Sequence, residues 1–268
     1  MSRAFFAGAP PRQIAHRGAS GTHPENTIEA FRAARAAGAQ GIELDVHRST
    51  DGEIVVIHDG TLERTTDGRG EVRTRTLAQL QALDAGYHFS ADGGRTHPFR
   101  GTGVRIPMLR EVCETFPEVP MILEIKQCEP HLEQDLARIL QETGAVERTL
   151  VFSLDQEPVG RYRAMGRDRP TGFGPAEVAD FLRRVASGDW LGYRPDALAF
   201  AVPVRHEGTQ IISAPFLEAA HRFGREVYVW TVNDPRQMHT LLDLGVDGLI
   251  SDFPERLRAV IAERAVSP

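Results

Sequence analysis

Apolar and polar residues alternate strictly through Gly41-Ile42-Glu43-Leu44-Asp45-Val46, which is the period of a β-strand. Ile42, Leu44 and Val46 share one face, and Glu43 and Asp45 share the other. Strand rise sets the two carboxylates about 7 Å apart. On a core strand such a pair is costly without a cation between them. On a solvated face the same two residues are ordinary surface acids. The surrounding elements bear on that choice. Upstream, residues 13–17 form a short strand that ends in His16-Arg17-Gly18. Asn26 follows as an N-cap, with Glu29 as its capping-box partner. The helix it opens runs to about Ala37 on Ile28, Phe31, Ala34 and Arg35, and stops at Gly38. Strand, helix and strand make the unit of a parallel α/β fold.

The next segment breaks the alternation. Thr50-Asp51-Gly52 is a turn and Glu53–His58 a strand, and the link is far too short for a parallel crossover. Residues 41–58 therefore read as a hairpin. With Asp51-Gly52 at its centre, paired residue numbers sum to 103 and His58 faces Asp45. Residues 59–110 carry few strand signals: a short helix over Thr76–Leu83, then Gly- and Arg-rich stretches such as Asp92-Gly93-Gly94-Arg95. A long irregular segment of this kind inside a domain is usually a functional insertion.

Regular alternation then returns. Helices are expected over Leu109–Phe116, His131–Glu142, Glu157–Met165, Pro175–Ala186, Pro215–Phe223, Pro235–Leu244 and Pro254–Arg264. Strands fall near residues 14, 43, 123, 151, 172, 199, 229 and 249. Eight strand–helix units in about 250 residues point to a closed (β/α)8 TIM barrel, with a hairpin and insertion after the second strand. The competing open, doubly wound sheet would need no even count, and the first strand lacks the Gly-rich dinucleotide loop. Residues 1–268 are read as a single barrel domain.

Composition narrows the class. The chain has 268 residues, 41% hydrophobic and 25% charged, with a net charge of -6 and no basic run. That is an ordinary globular protein with no nucleic acid as its main partner. Met1–Pro11 lacks the apolar core of a secretory leader. No stretch approaches the ~18 apolar residues of a membrane helix. A cytoplasmic location without a stable membrane anchor is expected. Cys113 and Cys128 are too few for a disulfide framework or a zinc site and read as reduced thiols. The oligomeric state is left open.

Chemistry in such a barrel gathers at the C-terminal ends of the strands. The first strand ends in His16-Arg17, the second in Glu43 and Asp45 with His58 returned by the hairpin, and the third in Glu124 and Lys126. The seventh carries Trp230 and Asn233, and the eighth ends in Ser251-Asp252. Glu43, Asp45 and Glu124 are three hard oxygen donors, suited to one divalent cation, Mg2+ or Ca2+, rather than zinc. The alternative is a salt-bridge layer with Arg17 and Lys126. Those two cations also suit a phosphate. His16 and His58 are candidate proton shuttles. Trp230 fits core packing or a substrate platform. His206 and His23 read best as bystanders. A metal, two cations, two histidines and no Ser or Cys nucleophile motif point to phosphoryl transfer.

These residues lie in an ordered set of motifs. It runs His16-Arg17-Gly18, Pro24-Glu25-Asn26-Thr27, Glu43-Leu44-Asp45-Val46, Asp51-Gly52, His58-Asp59, Ile106-Pro107-Met108-Leu109, Leu123-Glu124-Ile125-Lys126 and Val229-Trp230-Thr231-Val232-Asn233. The set closely resembles the glycerophosphodiester phosphodiesterases, among the phospholipase-C-like (β/α)8 phosphodiesterases, from about Ile14 to Leu257. The resemblance implies metal-dependent hydrolysis of glycerophosphodiesters, such as glycerophosphocholine or glycerophosphoethanolamine, to sn-glycerol 3-phosphate and an alcohol. It implies Glu43, Asp45 and Glu124 as metal ligands, His16 and His58 as the acid/base pair, and Arg17 and Lys126 as phosphate contacts. Trp230 is grouped with the substrate contacts. The family's route has the glycerol 2-hydroxyl attack phosphorus, giving a cyclic phosphate that water opens. Residues 59–110 correspond to an insertion over the barrel mouth. Three features depart from the family pattern: Ser251 before Asp252, Met108 after Ile106-Pro107, and a longer Gly93–Gly103 stretch. Phe89 and Phe99 suit an apolar entrance, which keeps lysophospholipase D action on lysophospholipids as an alternative. A non-catalytic phosphate-binding barrel is a second alternative.

Overall fold

Strands and helices alternate along the computed structural model, which describes residues 10–166 and 168–266. The first part of the chain runs β1 (Arg12–His16), α1 (Ile28–Ala36), β2 (Gly41–Arg48), β3 (Ile54–Val56), α2 (Leu77–Gln81), α3 (Leu109–Thr115) and β4 (Met121–Ile125). Then come α4 (Glu133–Glu142), β5 (Thr149–Phe152), α5 (Gln156–Ala164), α6 (Pro175–Ser187), β6 (Ala199–Pro203) and a small hairpin of β7 (Arg205–His206) and β8 (Thr209–Gln210). The chain closes with α7 (Ala214–Arg222), β9 (Glu226–Trp230), α8 (Pro235–Leu244), β10 (Gly248–Ser251) and α9 (Pro254–Val266). The leader reading of Met1–Pro11 lies, for residues 1–9, outside the described residues. Among the described residues no helix is long and apolar enough to cross a membrane.

The main sheet is ordered β5-β4-β2-β1-β10-β9-β6, all parallel, with β3 antiparallel on β2. Two further parallel bridges, Val151 with Thr171 and Gly172 with Ala199, join β5 to β6 through residues 171–172. The chain folds as a (β/α)8 barrel whose eighth stave is this two-residue strand.

Period-two alternation sorts the side chains. Ala15, Ile42, Leu44, Val46, Leu123, Ile125 and Val151 pack outward in one buried cluster with α1, α3 and α4. Ile14, Ile122, Leu150, Phe152, Tyr228 and Ile250 form a separate apolar cluster inside the barrel. One inward step beyond Ile14 and Ile122 come His16 and Glu124, with Glu43 of β2 paired to His16 between them. The inner cluster is thus an apolar floor beneath a polar layer. β2 is buried on both faces from Gly41 to His47, so Glu43 and Asp45 are not surface acids.

Two local readings are corrected. The N-cap of α1 is Thr27, whose hydroxyl accepts from Ala30 N at 3.2 Å; it is not Asn26. Asn26 sits in the left-handed region at φ 57°, a conformation Asn tolerates better than most residues. Its amide donates to Asp45 Oδ2 at 2.8 Å and accepts from Asp45 N at 3.3 Å. The amide is thus turned to β2, while the Thr27 hydroxyl takes the capping bond.

The hairpin register is also shifted. Val46 faces Val56, His47 faces Val55 and Arg48 faces Ile54, so paired numbers sum to 102. The loop has three residues, Thr50-Asp51-Gly52, closed by Ser49 and Glu53 through Glu53 N→Ser49 Oγ and Ser49 N→Glu53 O, both 2.9 Å. Gly52, at φ 90°, supplies the positive torsion that such a loop ends on. The ladder stops at Val56, so His58 does not pair with Asp45. A single bond, Ile57 N→Asp45 O at 3.0 Å, steers the chain onward. Residues 57–108 then form turns and α2 around a cluster of their own, with Leu62, Val72, Leu80, Ala85, Val104 and Ile106 buried together.

The roles of Asn26 and Thr27 are separable in urea unfolding of metal-free protein. Thr27→Ala is expected to cost about 1 kcal/mol, as lost N-caps do. Asn26→Ala is expected to cost about 2–3 kcal/mol, because it strains a positive φ and strips buried Asp45 of two partners. The reverse ranking would return the cap to Asn26.

Candidate active site

Parallel pairing builds the site. It sets His16 beside Glu43 on the neighbouring strand and Asp45 beside Glu124. Glu43, Asp45 and Glu124 are all buried, and each offers an oxygen within 4.8 Å of the others. Burial, then the charge of Asp45, pushes Glu43 well above its ordinary value. Burial pushes Glu124 up to about 7, although Lys126 opposes it. Three crowded hard oxygen donors that resist sharing negative charge fit a divalent cation such as Mg2+ or Ca2+.

Two cations reach into the cluster. Arg17, at φ 54°, donates its backbone N–H to Glu43 Oε2 at 3.0 Å. Its guanidinium donates to Glu25 Oε1 at 2.9 Å and lies 3.2 Å from Asp45 Oδ2. Gly18 lets this loop lie on α1: a Cβ there would fall 2.6 Å from the Ala30 carbonyl carbon. Lys126 Nζ donates to Glu124 Oε1 at 2.9 Å and lies 3.6 Å from Asp45 Oδ1. The salt-bridge layer therefore exists. It does not balance: three carboxylates face two cations, and Arg17 also answers Glu25.

Each histidine is oriented through Nδ1. His16 Nδ1 lies 2.6 Å from Asp252 Oδ1, and His58 Nδ1 lies 2.5 Å from Asp59 Oδ1. Burial works to raise Asp252, but hydrogen bonds from His16, Asn233 and Ser20 hold it below its ordinary value. Hydrogen bonds from Arg64 lead in holding Asp59 low. Ionised carboxylates only accept, so both rings donate from Nδ1 and keep Nε2 free. His16 Nε2 is 4.0 Å from Glu43 Oε2. Burial holds the His58 imidazole below its ordinary value despite the nearby acids, so this ring is neutral around pH 7.

A cavity of about 110 Å³ opens on this array. His16, Arg17, Glu43, His58, Glu124 and Lys126 line its charged side, and Phe152, Leu154, Trp230 and Thr231 its other side. Seven of the eight residues singled out in the sequence thus line one cavity, with Asp45 buried behind them at 1% side-chain exposure. Trp230 is half-buried at the wall, and its Nε1 is buried with no hydrogen-bond partner. His23 packs against Phe99 at 5.2 Å, away from the cavity lining, and His206 is exposed in β7.

The sequence reading missed the residues that orient the others. Asp252 and Asp59 stood in view, one at a strand end and one next to His58, but a carboxylate that steers an imidazole carries no spacing rule. Glu25 and Arg64 are 39 residues apart and meet only in the fold.

Comparison with known proteins places the chain in a family. The family model described as the glycerophosphoryl diester phosphodiesterase family matches residues 16–256. A glycerophosphodiester phosphodiesterase of Caldanaerobacter subterraneus subsp. tengcongensis is 34% identical over 250 residues, covering 91% of this chain and 95% of that protein. The solved glycerophosphodiester phosphodiesterase of Agrobacterium tumefaciens has a TM-score of 0.74 at 26% identity, covering 93% of this chain and 100% of its own. A phosphodiesterase of Oleispira antarctica, solved in complex with the product sn-glycerol-3-phosphate, has a TM-score of 0.74 at 26% identity, covering 94% of this chain and 97% of its own.

The raised Glu124 carboxyl has a thermal consequence. Its value moves from 4.5 to about 7 on folding. Folding therefore favours its protonated form; that contribution is full below the unfolded value and is lost as pH rises through about 7. In metal-free protein Tm is expected to fall between about pH 5 and pH 8, and to fall less in Glu124→Gln. Added Mg2+ or Ca2+ is expected to raise Tm more at about pH 8 than at about pH 5.5, because the ion must displace protons at the lower pH. Equal gains at both would detach the ion from Glu124.

Proposed function

The chain belongs to the glycerophosphoryl diester phosphodiesterase family, and we propose that it hydrolyses glycerophosphodiesters to sn-glycerol 3-phosphate and an alcohol. The observation that carries this reading is the pairing of two carboxylate-oriented histidines with a carboxylate triad and two cations around one cavity. The product bound by the Oleispira antarctica phosphodiesterase supports the glycerol phosphate half of the substrate.

Glu43, Asp45 and Glu124 would hold one divalent cation, Mg2+ or Ca2+, which when bound supplies Lewis acidity at a phosphoryl oxygen and offsets the charge of the triad. Arg17 and Lys126 receive the phosphate, Arg17 through its fork and Lys126 as a point charge. His16 and His58 move the protons. One ring removes the proton of the glycerol 2-hydroxyl as that oxygen bonds to phosphorus. The other gives its proton to the alcohol oxygen as the old P–O bond breaks. Water then opens the cyclic phosphate with the two roles exchanged, so both rings end as they began. No protein nucleophile takes part.

Trp230 belongs to the substrate wall on this reading, beside Phe152 and Leu154. That apolar wall favours a second arm, lysophospholipids, for which an exposed Leu154 suits a chain leaving the cavity. Residues 59–110 act as an insertion over the mouth of one barrel domain. Arg64 supports this by reaching back from the insertion to Glu25.

The test is release of glycerol 3-phosphate from glycerophosphocholine and glycerophosphoethanolamine, first in EDTA and then with Mg2+ or Ca2+ restored. Release is expected only with metal. His16→Ala and His58→Ala are each expected to lower kcat by ~10²-fold or more while leaving metal-dependent Tm shifts in place. Glu124→Ala is expected to weaken those shifts. Turnover in His58→Ala near the parent rate would remove this ring from the mechanism. Release of choline from lysophosphatidylcholine alone would move the substrate to the second arm.

A further inference from the structure

We propose that Arg64 is a positioning residue for this hydrolysis, holding His58 through Asp59 and Arg17 through Glu25 in one ionic clasp. The proposal rests on the function read above. Arg64 uses all three of its nitrogens. Nε donates to Asp59 Oδ2 at 2.6 Å and Nη1 to Glu25 Oε2 at 2.7 Å. Nη2 donates to both acids, 3.0 Å to Asp59 Oδ1 and 2.7 Å to Glu25 Oε1. These last two oxygens are the ones that His58 Nδ1 and Arg17 Nη1 also bind. A single guanidinium nitrogen therefore bridges the oxygen that orients a proton shuttle and the oxygen that orients a phosphate contact.

The surroundings suit this role. Arg64 does not line the cavity, so it acts through others. Leu62 and Thr66, on either side of it, are both buried, and Thr66 Oγ1 donates to Leu62 O at 2.8 Å. The turn that presents Arg64 is thus fixed from below. Without Arg64, Glu25 and Asp59 would be like charges drawn together with nothing between them. They would part, and His58 and Arg17 would follow. Displacements of about 1 Å at reacting groups cost ~10²-fold in rate. Arg64 is 45% exposed, and exposed ion pairs add little to stability, so its loss is expected in turnover rather than in folding.

The experiment measures kcat and KM on glycerophosphoethanolamine for the parent and for Arg64→Ala, Arg64→Gln and Arg64→Lys, each with its Tm. An inactive parent would overturn the reading of function and, with it, a positioning role for Arg64 in this hydrolysis. With an active parent, Arg64→Ala is expected to lower kcat through His58 and raise KM through Arg17, for a ~10²-fold loss in kcat/KM with Tm close to the parent. Added guanidinium ion is expected to restore part of both. Arg64→Lys keeps the charge but not the planar fork that makes four bonds, so it is expected to recover only part of the loss. If Arg64→Ala does not fold, Arg64→Gln carries the same comparison. Turnover within about threefold of the parent would overturn the clasp. So would a change confined to kcat or to KM, or a loss that follows Tm and ignores guanidinium.

Discussion

Negative charge crowded into one end of the barrel is the constraint on which the rest of the structure turns. Three carboxylates lie with oxygens within 4.8 Å of one another. Were all three ionised, each like-charged pair at that spacing would repel by on the order of 3 kcal/mol, with an effective dielectric constant of about 20, which is why Glu43 and Glu124 are shifted upward. Three such pairs approach the whole net stability of a typical domain. The fold answers with Arg17 and Lys126, with the Asn26 amide on Asp45, and with the Arg17 backbone N–H on Glu43. These are loop and strand-end groups at the C-terminal face, where a parallel barrel brings its connections together. Two of these groups, Arg17 and Lys126, also line the cavity.

Why the charge is confined to that end follows from the strand period. Ile14 is followed on its face by His16, and Ile122 by Glu124. The apolar residue of each pair lies in the inner cluster, and the polar one lines the cavity. One two-residue step thus separates a dry floor from the reactive layer. A single-residue slip of β2 would send Glu43 and Asp45 outward against α1 and α3 and bring Leu44 into the cavity. The parallel register with β1 and β4 is therefore a condition for chemistry as well as for packing.

The parts of the site that were legible in the sequence are those carried by this periodicity. Glu43, Asp45, Glu124 and Lys126 sit two residues apart on predicted strands, so the strand pattern alone put each pair on one face. His16 and Arg17 stood at a strand end. The fold was legible for the same reason, down to the short strand near residue 172, where only two bridges form. What escaped was set by torsions and hydrogen bonds with no period. The hairpin centre moved by half a residue because Gly52 takes the last position of a three-residue loop. Asn26 looked like a cap because side-chain type was read without the positive φ that turns it toward Asp45. His58 reaches the cavity through Ile57 and the chain beyond the ladder, not through the pairing with Asp45 that the sequence suggested.

The two histidines also show that similar local geometry can rest on different physics. Both rings donate through Nδ1 to a carboxylate. Asp252 is otherwise held by the neutral donors Ser20 and Asn233 and by its own backbone N–H, bonded to Asn233. Asp59 is otherwise held by a cation, Arg64. A positive charge forming on His58 therefore meets a carboxylate that Arg64 has already answered, in a setting where burial also disfavours the charge. That combination suits a ring that waits neutral and does not store its proton. Because Arg64 also holds Glu25, and Glu25 holds Arg17, the group that limits charge on His58 is tied to the group that would take up charge on the phosphate. Position and electrostatics are set here by the same few bonds. The outer carboxylates thus fix the geometry of the site as much as the residues that line the cavity.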